Sequence, residues 1–166
     1  HNQIQAVEAM LTDAQNDMRV LLLHLRPTEL ENKTLQEGLQ MILKELTDKS
    51  NIRVIYKDMV KKVPKRIENN LFRIAQEFIS NTLKHAKASQ IEVYLYQNSQ
   101  EIQLKMLDNG VGYDLNASTD EMSYGLKNIQ ERVDEMAGTV QFLSAKGKGT
   151  SIDVRVPILR GENNVE

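Results

Sequence analysis

The segment from Leu71 to Ala88, followed by a strand-like run that ends in Asp108-Asn109-Gly110-Val111-Gly112, constrains this chain more than any other feature. At about 100° per residue, Glu77, Asn81, Lys84, His85 and Ala88 fall in one arc roughly a quarter of a turn wide. Leu71, Phe72, Ala75, Ile79, Leu83 and Ala86 point broadly the other way. Such a helix has one face for a core and one for chemistry.

Composition narrows the setting. A chain of 166 residues with 40 % hydrophobic side chains can fill one ordinary core plus an extra element. Its 21 basic and 23 acidic side chains are interspersed, for a net charge of -2. That leaves no basic field of the kind that holds nucleic acid, and no DNA or RNA partner is expected. The absence of cysteine rules out a disulfide framework and a thiolate zinc site and fits a reducing compartment. No apolar run approaches the roughly 18 to 20 residues needed to span a bilayer, and there is no signal-peptide pattern. The sequence starts at His1 rather than Met. It is expected to be a cytoplasmic piece of a longer protein that is anchored in the cell membrane.

Along the chain, Ile4, Val7, Leu11, Ala14, Met18, Leu21 and Leu25 recur at alternating spacings of three and four, a short heptad seam that also fits an amphipathic helix packed on its own domain. Pro27 stops or bends this helix. Thr34 caps a second helix with Glu37 three residues later, and Leu35, Leu39, Ile42, Leu43 and Leu46 form its apolar face. Residues 52–57 read as a strand, Val63-Pro64 introduces the helix of Glu77 and Asn81, and residues 91–97 and 101–107 read as a hairpin. The stretch from Asp114 to Ser123 is expected to be a mobile loop. Leu126, Ile129, Val133 and Met136 then give helical spacing, with Gly138 as a left-handed terminator. Strands at 140–144 and 151–156 flank Gly147-Lys148-Gly149-Thr150, and a polar tail from Arg160 is expected to fray.

Each polar motif admits two readings. Asn81 offers a neutral carbonyl oxygen of the kind that magnesium accepts alongside water and phosphate. Lys84 and His85 can donate to phosphate oxygens, and Glu77 can accept a proton. Taken alone, the same residues make an ordinary solvated face. Asp108 at a strand end can accept from an exocyclic amine, with Gly110 and Gly112 allowing close backbone approach; Asp-Asn-Gly is also common turn chemistry. Tyr124-Gly125-Leu126 can bring free donors at a helix start toward an anion, or be a plain helix entry. Gly147, Gly149 and Thr150 fit a phosphate loop or a hairpin turn. No Walker loop or Rossmann fingerprint is present. The order of the motifs raises the case above its parts.

In that order the sequence resembles the ATP-binding domain of sensor histidine kinases, within the wider group that includes gyrase, Hsp90 and MutL. The likeness covers Val63 to Pro157. Glu77-x-x-x-Asn81-x-x-Lys84-His85 is similar to the N box, Asp108-x-Gly110-x-Gly112 to the first glycine box, Tyr124-Gly125-Leu126 to the second and Gly147-x-Gly149-Thr150 to the third. Leu25-Arg26-Pro27 and the run from Tyr124 to Arg132 further resemble the branch that signals to LuxR-type response regulators, and within it the LiaS/VraS-like sensors of cell-envelope stress.

The resemblance implies an α/β fold: a two-layer Bergerat-type sandwich, a mixed sheet with helices on one face, preceded by an N-terminal dimerisation-type helix. Residues 1–26 would be the second helix of a dimerisation and phosphotransfer hairpin, 27–33 a linker, 34–160 the ATP-binding catalytic domain and 161–166 a tail. It implies ATP and Mg2+ as cofactors. Asp108 would meet the adenine amino group, Asn81 the magnesium. Lys84, His85, Gly125, Leu126 and Thr150 would line the phosphate side, and Asp114 to Ser123 would belong to the lid. Glu77 takes a catalytic role.

One departure matters. The family's phosphoacceptor is a His followed by Asp or Glu, whereas His1 precedes Asn2, His24 precedes Leu25, and His85 lies in the N box. This chain is therefore expected to bind ATP without phosphorylating itself, its acceptor lying on a hairpin it does not contain, and its parent to be a homodimer. Two other functions fit the same boxes: a serine kinase of the anti-sigma type, and a non-catalytic nucleotide-sensing module.

Overall fold

The computed structural model describes residues 2–24, 30, 32–117 and 120–162. The elements in order are α1 (Asn2–His24), α2 (Leu35–Lys49), β1 (Arg53–Met59), α3 (Lys65–Asn81) continued by a π-helical turn (Thr82–Ala86), β2 (Gln90–Gln97), β3 (Glu101–Asp108), a 3-10 turn (Leu115–Ala117), α4 (Asp120–Glu135), β4 (Thr139–Ser144) and β5 (Thr150–Pro157).

Local chemistry explains the starts and stops. Thr34 Oγ1 accepts from the Glu37 N–H at 3.2 Å while Glu37 Oε2 accepts from the Thr34 N–H at 2.8 Å, a reciprocal capping box that satisfies two otherwise orphaned donors. Pro64, which has no N–H to lose, precedes α3, and its carbonyl accepts from Ile67 and Glu68. Asn98 Oδ1 accepts from the N–H groups of Gln100 and Glu101 and closes the β2–β3 hairpin.

The strands form one mixed sheet in the order β1-β2-β3-β5-β4. β1 and β2 run parallel, joined by the α3 crossover, and the remaining pairs are antiparallel. Period-two alternation buries Ile91, Val93 and Leu95 of β2, Ile102, Leu104 and Met106 of β3, and Ile152, Val154 and Val156 of β5. These rows meet Leu71, Ile74, Ala75, Phe78 and Ile79 of α3 and Ile129 and Val133 of α4 in a single core, with α2 closing one side. Truncating a wholly buried side chain there, such as Leu104→Ala, costs about 2–5 kcal/mol. The opposite face of the sheet is polar: Gln103 bonds Asp153 at 2.9 Å and Arg155 pairs with Glu101 at 3.1 Å. The expected two-layer α/β sandwich is thus the observed one, with the N-terminal helix in front.

Several local expectations are corrected. α4 begins at Asp120, so residues 120–123 are its first turn rather than part of a loop, and Leu115–Ala117 is a 3-10 turn closed by the Asp114 carbonyl. The left-handed residue after α4 is Ala137, at φ 54°, not Gly138. Gly138 N–H reaches the Val133 carbonyl and Ala137 N–H the Asp134 carbonyl, which makes Ala137 the strained position of a Schellman-type stop. Gly138 is needed because a Cβ there would lie 2.6 Å from the Arg155 carbonyl. The tail is pinned as far as Glu162, whose carboxylate takes two guanidinium bonds from Arg66 at 2.9 and 3.1 Å; that pairing holds its pKa below the usual carboxylate value. The Pro27 stop, Leu25, Arg26 and His1 lie outside the described residues, as do residues 118 and 119 of the expected lid.

α1 touches the body at α3 and the π-turn, where Asn16 Nδ2 donates to the Leu83 carbonyl at 3.4 Å. Its seam residues Ile4, Val7, Leu11 and Met18 are exposed. Among the described residues no helix is long and apolar enough to cross a membrane.

Candidate functional site

β3 carries its inward row Ile102, Leu104, Met106 one step further, to Asp108, so a carboxylate occupies the place where alternation calls for an apolar side chain. Asp108 is only 8 % exposed. Its Oδ2 accepts from the Thr82 hydroxyl at 3.1 Å and its Oδ1 from the Gly110 N–H at 2.8 Å. Burial raises its pKa above the ordinary carboxylate value, against the opposing pull of bonds from Gly110, Thr82 and the Thr150 backbone. Such a group is a strong acceptor for a donor that arrives without water.

The glycine boxes hold the backbone around it. Asn109 Oδ1 accepts from the N–H groups of Ser89 and Gln90, Val111 N–H bonds the Ala86 carbonyl at 2.7 Å, and Gly147 N–H bonds the Val111 carbonyl at 2.6 Å. A Cβ at Gly110 would run into the Ala86 carbonyl, and one at Gly149 into the Asp108 carbonyl. Gly112 sits at φ 61°, with no room for a Cβ beside the Ala145 carbonyl. These close approaches are between parts of the protein itself, whereas the sequence suggested approach to a ligand. Gly147, at the hairpin tip, has open space around it.

The π-turn is the largest departure from the helical-wheel reading. It widens the helix just after Asn81, and Lys87 in a left-handed conformation ends it, so Ala88 is not on the helix at all. Lys84 and His85, about 100° apart around the helix as sequence neighbours, line different cavities. His85 lines a cavity of about 110 Å3 with Phe78, Thr82 and Ala86, Asp108, Gly112 and Tyr113, Met122 and Leu126, and Thr150 and Ile152. Lys84 lines a second cavity of about 340 Å3 with Arg73, Gln76, Glu77, Ser80, Tyr124, Asn128 and Arg132. Asn81 and Ile129 belong to both walls. His85 Nε2 is buried with no hydrogen-bond partner among the described residues, an orphan that costs about 1–3 kcal/mol until a ligand meets it.

Gly125 lies inside α4, beyond the four residues whose N–H groups stay free, so it offers no helix-start donor and that expectation is corrected. Its task is steric: a Cβ there would stand 2.5 Å from Glu77 Oε1 and 3.3 Å from Asn81 Nδ2. Thr150 faces Asp108 across the β3–β5 ladder, and its hydroxyl lies 2.9 Å from Ser144 Oγ. Thr150 and Leu126 therefore stand on the Asp108 side of the site, apart from Lys84.

Sequence reasoning missed Thr82 and Tyr113 in the Asp108 wall and Arg73, Asn128 and Arg132 in the other, and reached Met122 only as part of the expected lid. The broken alternation at Asp108 was a readable signal; the arginines had none, since they come together only when α3 packs on α4. Among the described residues no three His, Asp or Glu side chains cluster as a metal cage. Asn81 has the neutral oxygen that suits a magnesium keeping a shell of water and phosphate.

A buried carboxylate in a largely apolar pocket, sharing an amide wall with a cationic cavity, on a mixed five-stranded sheet, is the site of a particular class. Residues 66–160 match the model of the histidine kinase-, DNA gyrase B- and HSP90-like ATPases, and the chain belongs to this family. Within it, the chain is 43 % identical over 97 % of its length to the sensor histidine kinase LiaS of Bacillus subtilis. It is 40 % identical over 99 % of its length to the sensor protein VraS of Staphylococcus saprophyticus. It spans 45 % and 47 % of those two relatives, a little under half of each. In structure it resembles the histidine kinase domain of a blue-light activated histidine kinase from Erythrobacter litoralis, with a TM-score of 0.62 at 16 % identity over 96 % of this chain and 83 % of that one.

Proposed function

We propose that this chain is the ATP-binding catalytic portion of a two-component sensor histidine kinase, which delivers the γ-phosphoryl group of ATP to a histidine on a helical hairpin outside the chain. The observation that carries the reading is the buried Asp108 carboxylate, fixed by Thr82 and Gly110, in a cavity that shares the wall residues Asn81 and Ile129 with a neighbouring cationic one. In this reading the adenine amino group donates to Asp108 between the apolar walls of Leu126, Met122 and Ile152. Thr150 stands beside it, and Gly110, Gly112, Gly147 and Gly149 hold the backbone that shapes the pocket. The orphaned Nε2 of His85 finds its partner on the nucleotide.

Asn81 would hold Mg2+, whose charge would offset that of the phosphates when bound. Lys84 serves the phosphate chain. Glu77, the carboxylate of the second cavity, accepts in this reading the N–H proton of the incoming imidazole. Attack of the other, unprotonated ring nitrogen on the γ-phosphorus breaks the bond to the bridging oxygen, and ADP leaves; the protein's share is positioning and charge stabilisation.

Residues 1–26 act in this reading as the second hairpin helix, 27–33 as a linker, 34–160 as the ATP-binding body and 161–166 as a tail. The exposed seam of Ile4, Val7, Leu11 and Met18 supports a helical partner there and a homodimeric parent. Similarity to the sensor histidine kinase LiaS and the sensor protein VraS supports a sensor kinase as the parent; in this reading it is anchored in the membrane, senses cell-envelope stress and passes the phosphoryl group to an aspartate of a LuxR-type response regulator.

Calorimetric titration of the chain with ATP, with and without Mg2+, tests the nucleotide part. Saturable binding tightened by Mg2+ is expected. Heat-silent titrations together with an ATP-independent melting temperature would remove the proposal.

A further inference from the structure

The second cavity holds charge that the assignment above leaves unused. Arg73 enters it from α3 and Arg132 from α4, two helices that Gly125 lets come close. Each guanidinium leans on a neutral amide: Arg73 Nη1 donates to Gln76 Oε1 at 3.3 Å, and Arg132 Nη1 donates to Asn70 Oδ1 at 3.2 Å. Both arginines are half-buried. Burial, and then the positive charge of Arg132, push the Arg73 guanidinium below its ordinary pKa, as expected of two cations held together before an anion arrives. Lys84 adds a third positive charge to the wall, against the one carboxylate of Glu77.

The cavity starts at Asn81, which it shares with the Asp108 pocket, and runs along α3 toward the helix N-terminus, past Glu77 to Arg73. A nucleotide whose base lies on Asp108 and whose phosphates pass Asn81 enters this space with its terminal end first. Guanidinium forks match the paired oxygens of a phosphoryl group better than a point-charge ammonium does.

We propose that Arg73 and Arg132 form a two-guanidinium seat for the terminal phosphoryl group of the bound nucleotide, the group that is transferred, and that the protein tells ATP from ADP at this seat. The inference rests on the reading of the Asp108 cavity as the base pocket. It makes the two arginines positioning residues of the transfer, recruited from opposite sides of the α3–α4 cleft.

The test is a pair of calorimetric titrations of the chain in Mg2+, one with ADP and one with an ATP analogue whose β–γ bridge cannot be cleaved. Arg73→Gln and Arg132→Gln should each weaken the analogue about tenfold, the scale of a lost charge-assisted bond, and ADP by less than about twofold. An equal loss for both nucleotides, or no loss for either, overturns the seat while leaving nucleotide binding intact. A native chain that binds neither nucleotide overturns the base-pocket reading and the seat together. A second measurement needs no variant: the analogue, but not ADP, should shield Arg73 and Arg132 from an arginine-directed dicarbonyl reagent, read by peptide mass spectrometry. Equal shielding by ADP contradicts the assignment.

Discussion

The Thr82 hydroxyl donates to Asp108 Oδ2 across 3.1 Å, with both residues buried. This bond ties the first residue of the π-turn to the last residue of β3, and so joins the N box to the first glycine box. The Gly110 N–H fixes the other oxygen at 2.8 Å. The carboxylate is thus oriented before any ligand arrives, which spares the bound state that ordering cost.

Asp108→Asn should separate binding from stability. The folded pKa of Asp108 is raised, so the folded state holds this proton more tightly than the unfolded chain. Its contribution to stability is complete below the ordinary carboxylate value and is lost as pH rises through the folded one. The amide keeps one oxygen for Gly110 and can donate to the Thr82 oxygen. At neutral pH the variant should melt no lower than the native chain, with any advantage shrinking in acid, while ATP affinity falls at least about tenfold. Scanning calorimetry across pH, paired with ATP titration, checks both halves; a large drop in melting temperature at neutral pH contradicts the account.

Gly125→Ala should do the reverse of an ordinary packing mutation. The new Cβ meets the end of the Glu77 side chain, which can swing away, and alanine favours the helix by up to about 1 kcal/mol. Thermal stability should hold or rise. Displacing Glu77 and Asn81 should nonetheless weaken the Mg2+-dependent part of ATP binding, measured as the ratio of affinities with and without the metal.

Gly112→Ala and Gly147→Ala form a graded pair. Both glycines have positive φ, but only Gly112 has a carbonyl where the Cβ would go. Gly147→Ala should cost about 1 kcal/mol of backbone strain. Gly112→Ala should cost clearly more and weaken ATP binding, because the wall beside Asp108 must shift. Urea unfolding of both variants gives the comparison, and equal losses would argue against the interlocked loops.

Thr34→Ala serves as the remote control. It removes one half of the capping box of α2 and should cost about 1 kcal/mol with no change in ATP affinity. A changed affinity would mean that α2 is coupled to the site.

The fold was legible where local rules act alone. The capping box at Thr34, the Asn98 hairpin and the alternating rows of β2, β3 and β5 follow from sequence-near chemistry, and each element was recognised within a residue or two. What stayed hidden depends on packing or on a break in periodicity. A wheel drawn at about 100° per residue cannot show the π-turn at Thr82–Ala86, nor that Lys84 and His85, at the two edges of one polar arc, line different cavities. Gly125 looked like a helix entrance although Ser118, Thr119 and the acidic pair Asp120-Glu121 are ordinary helix-start chemistry in the sequence, a signal that the glycine overshadowed. Arg73 and Arg132 sit on separate helices, and no spacing rule links them.

The central claim is phosphoryl transfer to a histidine, and the direct measurement supplies the proposed acceptor hairpin. Purified hairpin carrying the acceptor histidine is incubated with the chain, Mg2+ and γ-labelled ATP, beside the Asn81→Asp variant, which sets a negative charge against the phosphates. The account predicts an acid-labile, base-stable phosphate on the hairpin with the native chain and little or none with the variant. An unlabelled hairpin despite bound ATP, an acid-stable label, or undiminished transfer by Asn81→Asp would contradict it.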